Sequence, residues 1–357
     1  MQDTVLILGA RGRFGLATAR AFCDAGWRVI GQTRPGASVP AGMAHDARVQ
    51  WVGIDLHDVR AISAAAKGAA VVVHALNPAY TDSAWRANVL PMMDSAVAIA
   101  QELQATLMLP GNVYNFGTGM PGVLQEDTPQ TARTVKGQIR VALEQRLQRA
   151  AGGHADGVRG IVIRAGDFFG SGRGTWFDTT LVKNIHKGVF AHPGPRDVPT
   201  PWAYLPDFAR TFVAVAAQRA RLEPFEVFHF AGRQVTARQW LDVLKPVAVA
   251  QGWVKPGSQL KFNGLPWPII RLGALVNPTW RVLLEMRYLW QTPHALANTK
   301  LTALIGPEPH TALPQAARQA LADLGLLDPA CESAPVLLRQ AKPHGEASAP
   351  KFSSLQC

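Results

Sequence analysis

Several things this chain lacks remove whole classes of function. It has three cysteines, Cys23, Cys331 and Cys357, far apart and without a C-x-x-C pair. That excludes a disulfide scaffold and suits a reducing compartment. No run of about 20 uninterrupted apolar residues, the length a membrane-spanning helix needs, is present. The most lipophilic stretch, Leu265–Trp290, is broken by Arg271, Asn277, Pro278, Arg281, Glu285 and Arg287. It reads as buried or half-buried helices, with a membrane-surface role as the lesser reading. The ten histidines show no H-E-x-x-H or other tight ligand spacing, so no metal site is expected. Met1-Gln2-Asp3 lacks the charged and apolar regions of a signal peptide, and a cytoplasmic location is expected. The formal charge is +11, but only 17% of residues are charged and they form no dense Lys/Arg run. Nucleic acid is therefore not an expected partner; a basic surface serves solubility and attracts small anionic ligands. No internal repeat is present.

What is there begins at the first strand. Thr4-Val5-Leu6-Ile7-Leu8 runs into Gly9-Ala10-Arg11-Gly12-Arg13-Phe14-Gly15 and then a helix to about Ala25. A second apolar run, Trp27-Arg28-Val29-Ile30-Gly31, completes a β-α-β unit. A strand that breaks on glycines and restarts as a helix turns bare amides and a helix N-terminus toward a pyrophosphate. The spacing G-x-x-G-x-x-G is weak by itself, and the strand and helix around it give it weight. At the end of the second strand an acid would hold the ribose hydroxyls of NAD, whereas an arginine accommodates the extra phosphate of NADP. This chain has Gln32-Thr33-Arg34 and no acid there, with Arg11 beside the middle glycine. Guanidinium pairs with phosphate through a planar donor fork, so NADP is the expected cofactor, with NAD as the other candidate.

Further apolar runs at Val49–Ile54, Ala70–Ala75, Thr106–Leu109 and Gly160–Arg164 alternate with helical segments near Val59–Lys67, Ser83–Glu102 and Val135–Ala150. This predicts an α/β fold: a doubly wound parallel sheet of Rossmann type with a smaller C-terminal substrate lobe. The expected division is a cofactor domain over 1–185, rejoined by 206–232, and a substrate lobe mainly over 186–332. The return comprises a helix over Pro206–Arg221 and a strand over Glu226–Phe230. One further amphipathic helix follows a Thr311 cap. From about Ser333 the composition turns to Pro, Ala, Ser and Lys, and 333–357 is expected to be a disordered tail. The 48% hydrophobic content suffices for these cores. Most of the tryptophans in the later half are expected in them, with an apolar pocket wall as the lesser reading.

Taken in order, several motifs resemble the extended branch of the short-chain dehydrogenase/reductase superfamily, the NAD-dependent epimerase/dehydratase family. They are the glycine turn, Asp55-Leu56, His74-Ala75-Leu76-Asn77, Asn88-Val89, Pro110-Gly111-Asn112-Val113-Tyr114-Asn115-Phe116-Gly117, Lys136, Arg164-Ala165-Gly166-Asp167-Phe168-Phe169-Gly170 and Tyr204-Leu205-Pro206-Asp207. The resemblance implies a nicotinamide cofactor and a carbonyl or alcohol substrate. It implies cofactor contacts from Gly9, Arg11, Gly12, Arg13, Phe14, Gly15 and Arg34. Asp55 and Leu56 would meet the adenine, and His74, Ala75 and Leu76 would pass under the ribose and phosphates. Phe168-Phe169-Gly170 would lie near the nicotinamide, though an aromatic pair closing the core explains those rings equally well. His74 is expected to be a hydrogen-bonded structural residue, and Asp207 a helix cap.

The resemblance implies a tyrosine four residues before the lysine, where the ammonium lowers the phenol pKa. Here Ala132 precedes Lys136 at that spacing, and none of the four tyrosines has a lysine four residues later. The residue polarising the carbonyl is replaced by Gly111 or Asn112. Three explanations stand: Lys136 acts alone besides binding the nicotinamide ribose; Tyr114 or Tyr204 supplies a phenol with Asn112 orienting the substrate oxygen; or the chain is a non-catalytic NADP(H)-binding redox sensor or assembly protein. The expected partner is a small-molecule substrate, and a homodimer is left open.

Overall fold

The computed structural model describes residues 2–39, 46–152 and 157–328; the expected disordered tail lies outside the described residues. Seven strands form the central sheet: β1 (Thr4–Leu8), β2 (Arg28–Thr33), β3 (Val49–Gly53), β4 (Val71–His74), β5 (Thr106–Asn112), β6 (Arg159–Ala165) and β7 (Phe225–His229). Their order is β7-β6-β5-β4-β1-β2-β3, with every neighbouring pair parallel. The order reverses between β1 and β4, the place where ligands settle in open α/β sheets.

Alternation along β1 sends side chains to two cores. Leu6 and Leu8 join α2 (Val59–Ala65), α3 (Asp82–Leu103) and α4 (Val135–Ala151), while Val5 and Ile7 join α1 (Arg13–Asp24) and α5 (Leu205–Ala217). All four are fully buried, each stabilising the fold by roughly 1.5–3 kcal/mol. A third core gathers Phe169, Phe177, Trp202 and Trp240 with α6 (Ala237–Ala250) and the helix Leu313–Asp323. Beyond residue 280 the chain returns to the first lobe: Met286, Leu289 and Trp290 pack in the first core and Leu301 in the second.

Several expected boundaries move for identifiable reasons. β5 runs on to Asn112 because its pairing with β6 continues to that residue, whereas its pairing with β4 ends at Met108, so Pro110 has no ladder hydrogen bond to lose on the β4 side. Gly111 fits because a Cβ there would come within 2.7 Å of Arg164 Cγ. The expected helix over 206–221 stops at Ala217, and Arg219–Arg221 is a separate 3-10 turn. Thr311 does not cap the last helix, whose N-cap is Ala312 without a side-chain bond. Its N–H and hydroxyl instead donate to Asp207 at 2.7 Å each. Asp207 is therefore no helix cap; buried and also bonded to Arg210, it ties α5 to the C-terminal segment.

Candidate functional site

The glycine turn is closed so tightly that only backbone fits. Gly9 has φ +77°, and a Cβ there would meet Leu76 Cδ2 at 2.9 Å and Ala75 O at 3.1 Å. A Cβ on Gly15 would lie 2.5 Å from Gly9 O. The end of β4 thus walls the turn from below. Helix α1 starts at Gly12 without a side-chain cap, leaving its first amides to whatever approaches. Gly9 N–H donates to Gln32 Oε1 at 3.0 Å, and Gln32 Nε2 donates to Ile54 O at 2.7 Å. Gln32 is a buried strap joining the turn to β2 and the end of β3. Its sequence position signalled only a missing acid.

Arg13 crosses to the loop after residue 170, its Nη2 donating to Gly174 O at 2.8 Å. Its Nη1 is buried without a partner, and burial lowers its pKa, with Asp178 opposing. An unpaired buried guanidinium nitrogen beside a bare helix N-terminus fits an anionic pyrophosphate. The Phe14 ring packs on Phe208 and Phe212 of α5, away from the turn's amides. Arg11 Nη2 donates to Ser38 Oγ at 3.3 Å, which brings it to the loop that Arg34 opens; both guanidiniums are exposed. Asp55 is exposed after β3, one oxygen accepting His57 N–H at 2.9 Å, and Asp58 caps α2. Leu56 packs against the first core.

His74 is buried, and neither ring nitrogen meets a polar atom of another residue, which corrects the expectation of a hydrogen-bonded histidine. Burial pushes its pKa down to about 4, helped by the nearby Arg140 charge, so the ring is neutral at physiological pH. A small void lies between His74, Asn77 and Arg140.

The second half of the site sits at the carboxyl ends of β5 and β6. Asn112 Oδ1 accepts Tyr114 N–H at 3.0 Å and starts the 3-10 turn Val113–Phe116. This turn delivers the Tyr114 hydroxyl to the Tyr80 hydroxyl, 3.2 Å away. Asp167, just past β6, accepts Trp290 Nε1–H at 2.8 Å. Burial pushes its carboxyl up to about 6. Burial raises Tyr114 to about 12, with the Asp167 charge adding to it, and also raises Tyr80 and Tyr288. The Tyr288 hydroxyl is buried without a partner. In this cluster Asp167 is the group that changes charge near neutrality.

Lys136 lies on the first turn of α4 and is 1% exposed. Its ammonium bonds Asp82 Oδ1 at 2.6 Å, at the start of α3, and lies 4.6 Å and 5.0 Å from the Tyr80 and Trp85 ring centroids. The ion pair and the aromatic faces offset the cost of burying the charge. Because α4 begins only at Val135, Ala132 precedes the helix and does not share its face with Lys136. Sequence reading therefore had Asn112, Tyr114 and Lys136 in view, held Trp290 only among the tryptophans that could wall a pocket, and missed Tyr80, Asp167 and Tyr288. Asp167 lay within a quoted motif; the others carried no local signal. Tyr204 lies elsewhere, packed on Phe169 in the third core. Phe168 packs on Phe208 and Phe169 on Trp240, so both rings serve cores. Among the described residues no group of three or more His, Cys, Asp or Glu could hold a metal ion.

The sequence matches the family described as the NAD dependent epimerase/dehydratase family over residues 5–231. No curated protein matches it significantly. Among solved structures, an epimerase candidate from Burkholderia cenocepacia is 19% identical with a TM-score of 0.69, covering 90% of this chain and 97% of its own. A UDP-glucuronic acid 4-epimerase from Bacillus cereus in complex with NAD is 15% identical, TM-score 0.67, covering 89% and 94%. A UDP-Glc/GlcNAc 4-epimerase from Campylobacter jejuni is 13% identical, TM-score 0.66, covering 90% and 98%. These structures share the fold. The chain belongs to the NAD dependent epimerase/dehydratase family.

Proposed function

We propose, with that membership as premise, that the chain is an NADP(H)-dependent oxidoreductase acting on a carbonyl or alcohol carbon of a small molecule, an epimerisation being the same step used twice. The observation that carries this reading is a titratable carboxyl, Asp167, set among buried phenols at the carboxyl ends of β5 and β6, on the sheet edge where the glycine turn opens. When bound, the nicotinamide supplies or accepts hydride. Gly9, Gly12 and Gly15 leave room for its pyrophosphate, with the amides of Arg13, Phe14 and Gly15 and the Arg13 guanidinium as donors. Arg11 and Arg34 reach the extra phosphate of NADP, Asp55 and Leu56 meet the adenine, and His74, Ala75 and Leu76 form the wall beneath. NAD remains the competing cofactor, set apart by the affinity measurements below.

The chain's own groups divide the proton work. Asn112 has committed its Oδ1 to Tyr114 N–H, which leaves its amide N–H groups to orient the substrate oxygen. Asp167 in its acid form gives a proton to the alkoxide formed on reduction; as carboxylate it takes one from the alcohol on oxidation. Tyr114 does not ionise at physiological pH but donates a hydrogen bond to the developing oxyanion. Lys136 orients Tyr80, and through it Tyr114, and keeps donor positions for the nicotinamide ribose hydroxyls.

The test is a panel of nucleotide-sugar, steroid-like and small carbonyl substrates followed by NADPH absorbance. Turnover that Asp167→Asn abolishes while NADPH affinity stays unchanged supports the enzyme. Tight NADPH binding with no turnover anywhere in the panel supports the sensor reading, which the absence of a Tyr-x-x-x-Lys pair keeps in contention.

A further inference from the structure

Helices Trp267–Gly273 and Pro278–Glu285 form a hairpin closed by the Trp280 ring, which sits so close over Gly273 that a Cβ there would lie 2.1 Å from it. Its first helix and the turn after it carry the most exposed large apolar side chains among the described residues: Ile269 at 60% and Leu272 at 71% on the helix, Leu275 at 73% and Val276 at 86% in the turn. Four such side chains fall within eight consecutive positions on one helical hairpin, whereas scattered single ones need no account.

The charge along it is mostly basic; the one acid on the hairpin, Glu285 at its far end, is half-buried and lies near Arg281, Lys136 and Arg86 as well as Asp82. Between Asp242 and Glu285 the chain has no acidic residue and five basic ones, Lys245, Lys255, Lys261, Arg271 and Arg281. All but Lys245 are exposed, and Arg271 and Arg281 stand on the hairpin itself. We infer that this hairpin docks on an anionic lipid surface, its apolar tip entering the headgroup boundary while the arginines meet lipid phosphates. A two-fold contact with a second copy would set these basic residues against their own counterparts. An anionic bilayer complements both features at once, and no helix among the described residues is long and apolar enough to cross it.

The hairpin leads directly into Tyr288 and Trp290, which enter the site at Asp167. Docking would therefore hold the segment that carries Tyr288 and Trp290 close to the bilayer and suit a carbonyl compound that partitions into lipid. That consequence rests on the hydride-transfer reading, whereas lipid binding is tested without turnover.

The experiment is flotation of the full-length protein with vesicles of phosphatidylcholine alone or with one-third phosphatidylglycerol. The expected result is binding to the anionic vesicles, at least about tenfold weaker at high salt and lost in the double variant Leu272→Ser/Leu275→Ser. Because both side chains are already exposed, thermal stability should be unchanged, so lost binding reports the surface. Arg271→Glu with Lys261→Glu should abolish the preference for anionic lipid. No flotation of the unmodified protein overturns the proposal, as does a dimer in sedimentation velocity that the serine variant dissolves.

Discussion

The two halves of the site, the glycine turn at β1 and the phenol–carboxyl cluster at β5 and β6, are built on opposite principles. The turn is local: within seven consecutive residues Gly9, Gly12 and Gly15 leave the backbone bare, with the Arg11 and Arg13 side chains beside it. The cluster is non-local, drawing Tyr80, Tyr114, Lys136, Asp167 and Trp290 from segments more than 200 residues apart, and it works through side chains alone. In the proposed function the first would hold the nicotinamide cofactor and the second would set what is done with it. Damage to one should therefore leave the other's function measurable.

The sharpest break in this comparison is Asp167→Asn. We expect turnover to fall by about 10²–10⁴, with NADPH affinity by calorimetry unchanged. The same residue gives a pH signature. Its folded pKa of about 6 lies above the ordinary carboxyl value, so its stabilising contribution is full below about pH 4 and is lost as pH rises through 6. Denaturant unfolding should thus show Asp167→Asn gaining on the unmodified protein at neutral pH and not at pH 4. Reduction should be faster below about pH 6 and oxidation above it.

The converse break is Gly15→Ala, whose Cβ must displace Gly9 O or the helix start. Overpacking of this kind costs about 1–3 kcal/mol, and NADPH binding should weaken by about 10–100-fold while the tyrosine cluster stays folded. Lys136→Met joins the halves. Leaving Asp82 unpaired should lower stability by about 1–3 kcal/mol, discounted for its partial exposure. If Lys136 orients Tyr80 and Tyr114, turnover falls more than NADPH affinity; if it only holds the ribose, affinity falls first. Arg34→Asp should weaken NADPH about tenfold and spare NADH. Equal affinities for both cofactors in the unmodified protein would refute the NADP preference.

The smallest effect concerns His74, beneath the turn. Its folded pKa of about 4 lies below its ordinary value, so its contribution to stability is present above about pH 6.5 and fades as pH falls toward 4. Near pH 5.5 the loss should be about 1 kcal/mol relative to neutral pH. A titration of unfolding free energy in which His74→Phe is no flatter than the unmodified protein over that window would contradict it.

Much of the architecture was legible in advance because it is written in short range. Apolar runs such as Val71–His74 and the glycine turn specify strand, turn and helix within about thirty residues, and parallel order follows from crossover handedness. Misreadings clustered where a local rule met a distant partner. Thr311 has the composition of a cap, yet Asp207 claims it from α5. His74 has the sequence setting of a hydrogen-bonded structural residue, yet no polar atom of another residue reaches its ring after the chain has closed.

What the sequence alone determined is the cradle: backbone exposure depends on residues adjacent in the chain, and the absence of side chains can be read off directly. Only the tertiary structure decided that Lys136 is a buried partner of Asp82 and not a surface charge, and that Asp167 accepts a hydrogen bond from Trp290. Burial, ion pairing and a shifted pKa depend on groups that meet after the chain has closed through long loops, and no local pattern records which of them will.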